Sequence, residues 1–281
     1  MKSVDVQAAM RWLDERDVID CSGGVTTYDG FESAVWLLKP QWFHPDLVAL
    51  NEDFPRLDFP NDHPPVILDG VEINQHVGLD APRFRAAPSP PWRALTQREL
   101  FSSMDWPFNL FDVLSGIRSD VPWHRQPPCL DTSWGLDEPD ASMLFDILER
   151  HSQSGASTVV NSYYCTLHGL MSDRTLGEDG QLIGDLDAMY EGTLGELRAS
   201  VASPDVEDPP CNIWPLDHSW LYCDDYDLQS GIFIAGSAQL IRDIVQCDGL
   251  EAIESTPEND PWRHWSAQDS FRRIRKSRPL I

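Results

Sequence analysis

The sequence predicts an α+β protein, an antiparallel sheet with hairpins packed against several amphipathic helices. Three observations lead there. Apolar residues recur at helical spacing in some stretches, as at Val6, Ala9, Met10 and Leu13. Other stretches, such as residues 157–167 (STVVNSYYCTL), are β-branched and aromatic and read as core strand. Turn signals join these elements without regular strand–helix–strand crossovers, which favours antiparallel pairing. The 281 residues suit one large domain or two small ones. We read 1–281 as one globular unit, with a division into 1–92 and 93–281 as the alternative and 272–281 as a basic tail.

Taken in order, the opening helix carries Val6, Ala9, Met10 and Leu13 on one face. Residues 33–38 read as a short helix stopped near Pro40. Residues 40–65, rich in Pro, Asp and aromatics, read as loop. Asp69-Gly70 between the apolar runs of 66–73 predicts a hairpin with a type I′ turn. The prolines of 82–92 mark either a linker or a docked surface loop. Thr96 with Glu99 three residues later is a capping-box signature for a helix over 96–104. A second short apolar helix follows at 108–114, then a Pro- and Trp-containing crossover over 122–137. Met143, Leu144, Ile147, Leu148 and His151 predict a helix with Asp140 as N-cap and Gly155 just past its end. Asp179-Gly180 reads as a turn, and 187–201 as a helix despite Gly192 and Gly195.

The most structured passage is 214–251. Trp220 to Cys223 reads as an aromatic strand, followed by the acidic turn Asp224-Asp225-Tyr226-Asp227. Residues 231–235 form a second strand, and Gly236-Ser237 opens a helix with Leu240, Ile241, Ile244 and Val245 on one face.

Charge is the strongest compositional signal. Lys and Arg total 21 against 46 Asp and Glu, a formal net charge of −25. Five of the basic residues (Arg272, Arg273, Arg275, Lys276, Arg278) lie in the terminal tail, so the remaining body is more acidic still. Such a body repels nucleic acid and anionic membrane and draws basic partners over long range. Solubility alone is the plainer use of the same charge. The tail reads as a solvated end that pairs with the acidic body or with a second subunit, which leaves a homodimer open, and contact with nucleic acid is the lesser alternative. The first residues lack an apolar core of signal-peptide length, and no run reaches the roughly 18 apolar residues of a membrane span. With six cysteines far apart and no CxxC pair, we expect free thiols and a reducing cytoplasm.

Motifs for chemistry are sparse. Asp224, Asp225 and Asp227 could hold a hard cation, but the spacing lacks the central Gly and later Glu of a calcium loop, so no metal is expected. The histidines make no HExxH or HxH pattern; His44-Pro-Asp46 and Asp62-His63 are local acid–His neighbours that ordinary loop bonding explains. There is no GxSxG, and Ser237 reads as a helix cap and not a nucleophile. The same turn is a possible anion site at a helix start, though the surrounding acidity opposes it. Phosphate loops are absent, and no cofactor is expected. Trp and Tyr rings beside carboxylates also suit a protein-binding surface, with rings as anchors and acids for steering. On that basis Asp217, Trp220, Asp224, Asp225, Tyr226 and Asp227 are the candidate partner-binding residues.

Trp214-Pro215, Asp217-x-Ser219-Trp220, Tyr226-Asp227-Leu228, Gly236-Ser237 and the helix ending near Leu250-Glu251-Ala252 together resemble the C-terminal part of a family of bacterial cytoplasmic proteins common in actinobacteria. There the Asp is often followed by Arg, where this chain has His218, and the acidic segment reads Thr-Asp-Tyr-Asp or Thr-Glu-Ile-Asp. The middle section, 143–165, is similar too, while residues 1–135 carry no resemblance. That family brings no activity and no catalytic residues. Overall the chain resembles immunity proteins of polymorphic-toxin and type VI effector systems. The resemblance implies a cytoplasmic protein that binds and neutralises a cognate toxin, such as a basic nuclease, without touching nucleic acid or membrane itself. A hydrolase with an unfamiliar carboxylate/His site and an acidic adaptor or assembly protein are the alternatives.

Overall fold

A strand from near the start of the chain and two from near its end decide the architecture. The computed structural model describes residues 1–14, 16, 19–21, 24–53, 64–73, 89–105, 107–115, 129–131, 136–164, 188–202, 209–224 and 230–256. In chain order the elements are β1 (Lys2–Ser3), α1 (Val6–Asp14), β2 (Ile19–Cys21), β3 (Gly24–Thr26), β4 (Ser33–Leu38), β5 (Gln41–Phe43), α2 (Leu47–Asp53), β6 (Val66–Leu68), β7 (Val71–Ile73), β8 (Arg93–Leu95), α3 (Gln97–Ser103), α4 (Leu110–Ser115), β9 (Cys129–Asp131), α5 (Asp140–Arg150), β10 (Val159–Tyr164), β11 (Ala188–Thr193), α6 (Leu194–Ala202), β12 (Asn212–Pro215), β13 (Leu221–Cys223), β14 (Gly231–Gly236), α7 (Ala238–Val245) and β15 (Glu251–Ser255). Eight strands form the main sheet in the order β1-β11-β10-β12-β13-β14-β4-β15, and every pairing is antiparallel. The fold is α+β.

β4 is the first correction. The run Ser-Ala-Val-Trp-Leu-Leu, expected as a helix, is a strand paired with β14 on one side and β15 on the other. Both of its faces are covered, so it shows no polar alternation, and a short apolar run then reads equally well as helix. Val35 and Leu37 face Leu144 and Leu148 of α5, Leu194 and Leu197 of α6, and Leu240, Ile241 and Ile244 of α7. Trp36 and Leu38 point the other way, toward Phe101 of α3 and Leu114 of α4. Farther along that second face α1 packs Leu13 against Trp214, Met189 and Leu221. Because β4 belongs to residues 1–92 and its partners do not, a boundary at 92/93 would cut through the main sheet.

Outside this sheet, β5 pairs with both β8 and β9, and the β6–β7 hairpin lies with α2 over a satellite core of Trp42, Leu47, Ile73 and Trp92. Residues 40–65, expected as loop, thus contain β5 and α2, elements too short to leave a period. The hairpin turn is as expected: Asp69 and Gly70 have φ of 46° and 85°, the two positive values that a type I′ turn needs. The Thr96/Glu99 capping box is present at α3.

Of the stretch 187–201, expected as a helix, the described residues 188–201 are strand and then helix. Thr193 Oγ1 accepts from Glu196 N (3.2 Å), and Glu196 Oε2 accepts from Thr193 N (2.8 Å). This second capping box starts α6 at Leu194 and leaves the preceding residues to β11. Asp140 does not cap α5; it is the first helical residue, with Pro139 before it and no side-chain cap bond. Burial and the neighbouring Asp137 and Glu138 carboxylates push its own carboxyl up to about 7. Val245, placed by sequence on the buried face of α7, is exposed. The expected turn at 179–180 and the tail 272–281 lie outside the described residues.

Candidate functional site

Three of the six expected contact residues are described, and two of these are buried. Asp217 is exposed, and its Oδ1 accepts from Ser219 N at 3.0 Å. Trp220 is fully buried, and its indole N–H donates to Ser152 Oγ (3.0 Å), which in turn donates to the Leu148 carbonyl (2.7 Å). That ring locks the sheet to the end of α5 and cannot touch a partner. Asp224 is buried as well. Lys39 Nζ donates to its Oδ1 at 2.6 Å, with the two side chains 3% and 1% exposed. The carboxylate therefore neutralises the protein's own lysine. Trp220 and Asp224 are thus corrected from contact residues to core ties, and Asp225, Tyr226 and Asp227 lie outside the described residues.

Other acidic groups are also turned to internal use. Glu32 Oε2 accepts from Ala238 N (2.9 Å), and Ser237 Oγ caps Leu240 N (3.2 Å), as its sequence position predicted. The start of α7 therefore already holds a carboxylate, where an external anion was weighed. Glu251 accepts from Gln97 N and Arg98 N and so serves the start of α3. His44 accepts from Asp46 N through Nδ1 (3.1 Å) and meets Asp69 Oδ2 through Nε2 (2.8 Å). His151 Nε2 lies 2.8 Å from Asp243 Oδ2 and ties α5 to α7; this contact, with Gln239, holds the Asp243 carboxyl below its usual range. His63 is outside the described residues. Among the described residues no group of three or more His, Cys, Asp or Glu side chains is placed to hold a metal ion. Likewise, no helix among them is long and apolar enough to cross a membrane.

The surface feature with chemistry left over lies elsewhere. α1 leans over β10, β11 and the turn after β12, and between them runs an open groove of about 540 Å³. Its walls are apolar: Val4, Ala8, Ala9 and Leu216. Its polar lining is Asp5, Arg11, Asn161, Glu191 and His218. Asn161 is the floor. It is only 5% exposed and sits on β10 opposite Glu191 on one side and Trp214 on the other. Its side-chain amide has no hydrogen-bond partner among the described residues. Neither atom of the amide is sealed from solvent, so it opens onto the groove, where a bound group can reach it.

His218 forms the far wall. Its backbone lies in the left-handed region (φ 55°), and its ring stacks on Trp12 at 4.3 Å with a 10° interplanar angle. Burial and the nearby Arg16 guanidinium pull its pKa below the usual value, against the opposing pull of Asp217. The imidazole is therefore mostly neutral at pH 7, with one donor and one acceptor nitrogen. The other company of Trp12 is fixed too. The Arg16 guanidinium lies 4.6 Å from its ring, and Arg16 donates to the Trp12 and Asp29 carbonyls. At the rim Asp5 Oδ1 accepts from Ala8 N (2.7 Å), and Glu191 pairs with Lys2 at 2.6 Å.

Sequence reasoning passed over this groove. Its one signal was Asn161, a polar interruption of an apolar strand. His218 was noted only as a departure from the resembled pattern. No family model, curated protein or solved structure matches this chain.

Proposed function

We propose that this protein is an immunity-type inhibitor that binds a basic bacterial toxin in the cytoplasm and neutralises it. The observation that carries the reading is where the charges point. Lys39 is buried on Asp224, Lys2 pairs with Glu191, Arg98 with Glu251, and Arg198 with Asp146 and Glu149. Of these, only Lys39 is turned inward; Lys2 and Arg98 are paired at the surface, and the exposed Asp46, Glu52, Asp53, Asp69, Glu72, Asp105 and Asp248 outnumber the exposed Arg11, Arg93, Arg150 and Arg242. A chain with a formal charge of −25 then attracts a cationic partner and accelerates encounter. The resemblance to immunity proteins supports the same reading. The two described His–carboxylate pairs join structural elements away from the groove, so the hydrolase alternative gains nothing from them.

The test pairs the chain with whatever protein the adjacent gene encodes, which the proposal expects to be basic and toxic. Cells producing that protein should survive when this chain is co-expressed. The association rate of the purified pair should fall roughly tenfold or more between 50 and 500 mM salt. Equal killing with and without this chain would overturn the proposal.

A further inference from the structure

We infer that the groove between α1, β10 and the turn at 216–218 takes an extended peptide segment of the partner, with one peptide group paired to the side-chain amide of Asn161. The inference rests on the proposal that the protein binds a basic protein. Asn161 offers one carbonyl acceptor and an NH2 donor side by side. A peptide group offers the complementary N–H and C=O, so a single contact pairs with both halves of an amide that no described side chain holds and that opens onto the groove. The apolar wall of Val4, Ala8 and Leu216, the last 49% exposed, suits an aliphatic side chain beside that peptide group. The Asp5 carboxylate on the same lining suits a lysine or arginine. Arg11 on that lining limits the segment to a single strong positive charge there.

A nucleobase could also pair with an asparagine amide, but it would need a ring platform. The Trp12 ring is already committed to His218 and Arg16. The Asp5 and Glu191 carboxylates oppose an attached phosphate. The open form of the groove fits a chain passing through, where a small molecule is usually enclosed more fully.

The experiment uses the full chain, ¹⁵N-labelled, with the Asn161 side-chain signals assigned by their loss in Asn161→Ala. Three probes are titrated: a Leu/Lys hexapeptide, the same peptide with every amide N-methylated, and adenosine monophosphate. The unmodified peptide should shift the Asn161 NH2 signals and saturate. Asn161→Ala and Leu216→Asp should each weaken it roughly tenfold or more, and the N-methylated peptide should lose a comparable factor. Because the Asn161 amide ties nothing and Leu216 is exposed, both variants should fold, which the remaining backbone spectrum checks. Three results would overturn the inference: no shift with the peptide, equal binding by the N-methylated form, or a shift with the nucleotide alone. Partner neutralisation that survives Asn161→Ala and Leu216→Asp removes the groove and leaves the immunity reading standing. Peptide binding at Asn161 without neutralisation of any basic partner removes the immunity reading and keeps the groove.

Discussion

Lys39→Met should destabilise the protein by about 3–5 kcal/mol, the cost of stranding one partner of a buried ion pair. Lys39 follows β4, Asp224 follows β13, and their 2.6 Å contact is almost sealed from water. Removing the ammonium takes away the opposite charge that offsets the desolvation of this buried carboxylate. Asp224→Asn strands the ammonium in the same way. The double replacement Lys39→Met with Asp224→Leu strands neither and should return to within about 1–2 kcal/mol of the native chain. Against a typical domain stability of about 5–15 kcal/mol, each single change removes a large fraction of the whole. Urea unfolding at pH 7, followed by tryptophan fluorescence, measures all four chains, with the denaturant slope as the check that the transition stays cooperative. Single variants that lose under about 1 kcal/mol, or a double variant that loses the sum of both, would refute the reasoning. The sequence placed Asp224 among the candidate partner-binding residues, where charge reversal would weaken binding and spare the fold. For Asp224 the expected result is now failure to fold.

Two further outcomes follow from burial and packing. Asp140 has a folded-state pKa of about 7 against an ordinary 3.8, so the folded protein prefers the protonated acid. Its contribution is intact below about pH 4 and is lost as pH rises toward 7, with a ceiling of about 4 kcal/mol from the shift of roughly three units. The start of α5 favours the ionised form and trims this by about 0.3–1 kcal/mol. Asp140→Asn should therefore raise the melting temperature at pH 8 and change it little at pH 4; a pH-independent difference would reject the assignment. Gly231→Ala would place a Cβ 2.2 Å from Leu114 Cδ2, inside a fully packed face of the sheet. We expect a loss of about 1–3 kcal/mol in chemical denaturation, largely recovered by Leu114→Ala in the same chain, and no recovery would count against the overpacking.

What could be seen in the sequence was what local chemistry alone determines. The Thr96/Glu99 box, the Asp69-Gly70 turn, the Ser237 cap and the stripe of α1 each depend on residues within a few positions of one another, and each stands where expected. What escaped depends on distant partners. β4 reads as a helix until β14 and β15 are known to flank it, and Asp224 reads as a surface charge until Lys39, far back in the chain, is placed against it. Trp220 looked like a contact ring because nothing nearby in sequence announces Ser152. The groove is assembled from residues near 5, 12, 161, 191 and 218, a combination that no linear spacing encodes.

The insertion of β4 between β14 and β15 also sets a timetable for the newborn chain. Leu38 pairs with Gly231 and with Glu251, so both neighbours of β4 are translated about two hundred residues after it. At roughly 5–20 residues per second, the strand waits on the order of 10–40 s beside the ribosome before either arrives. During that wait Ala-Val-Trp-Leu-Leu has two bare edges and two greasy faces, the profile that chaperones bind and that aggregates recruit. The main sheet closes only as its last strands emerge, so yield in the cell should depend on holding this segment apart until then.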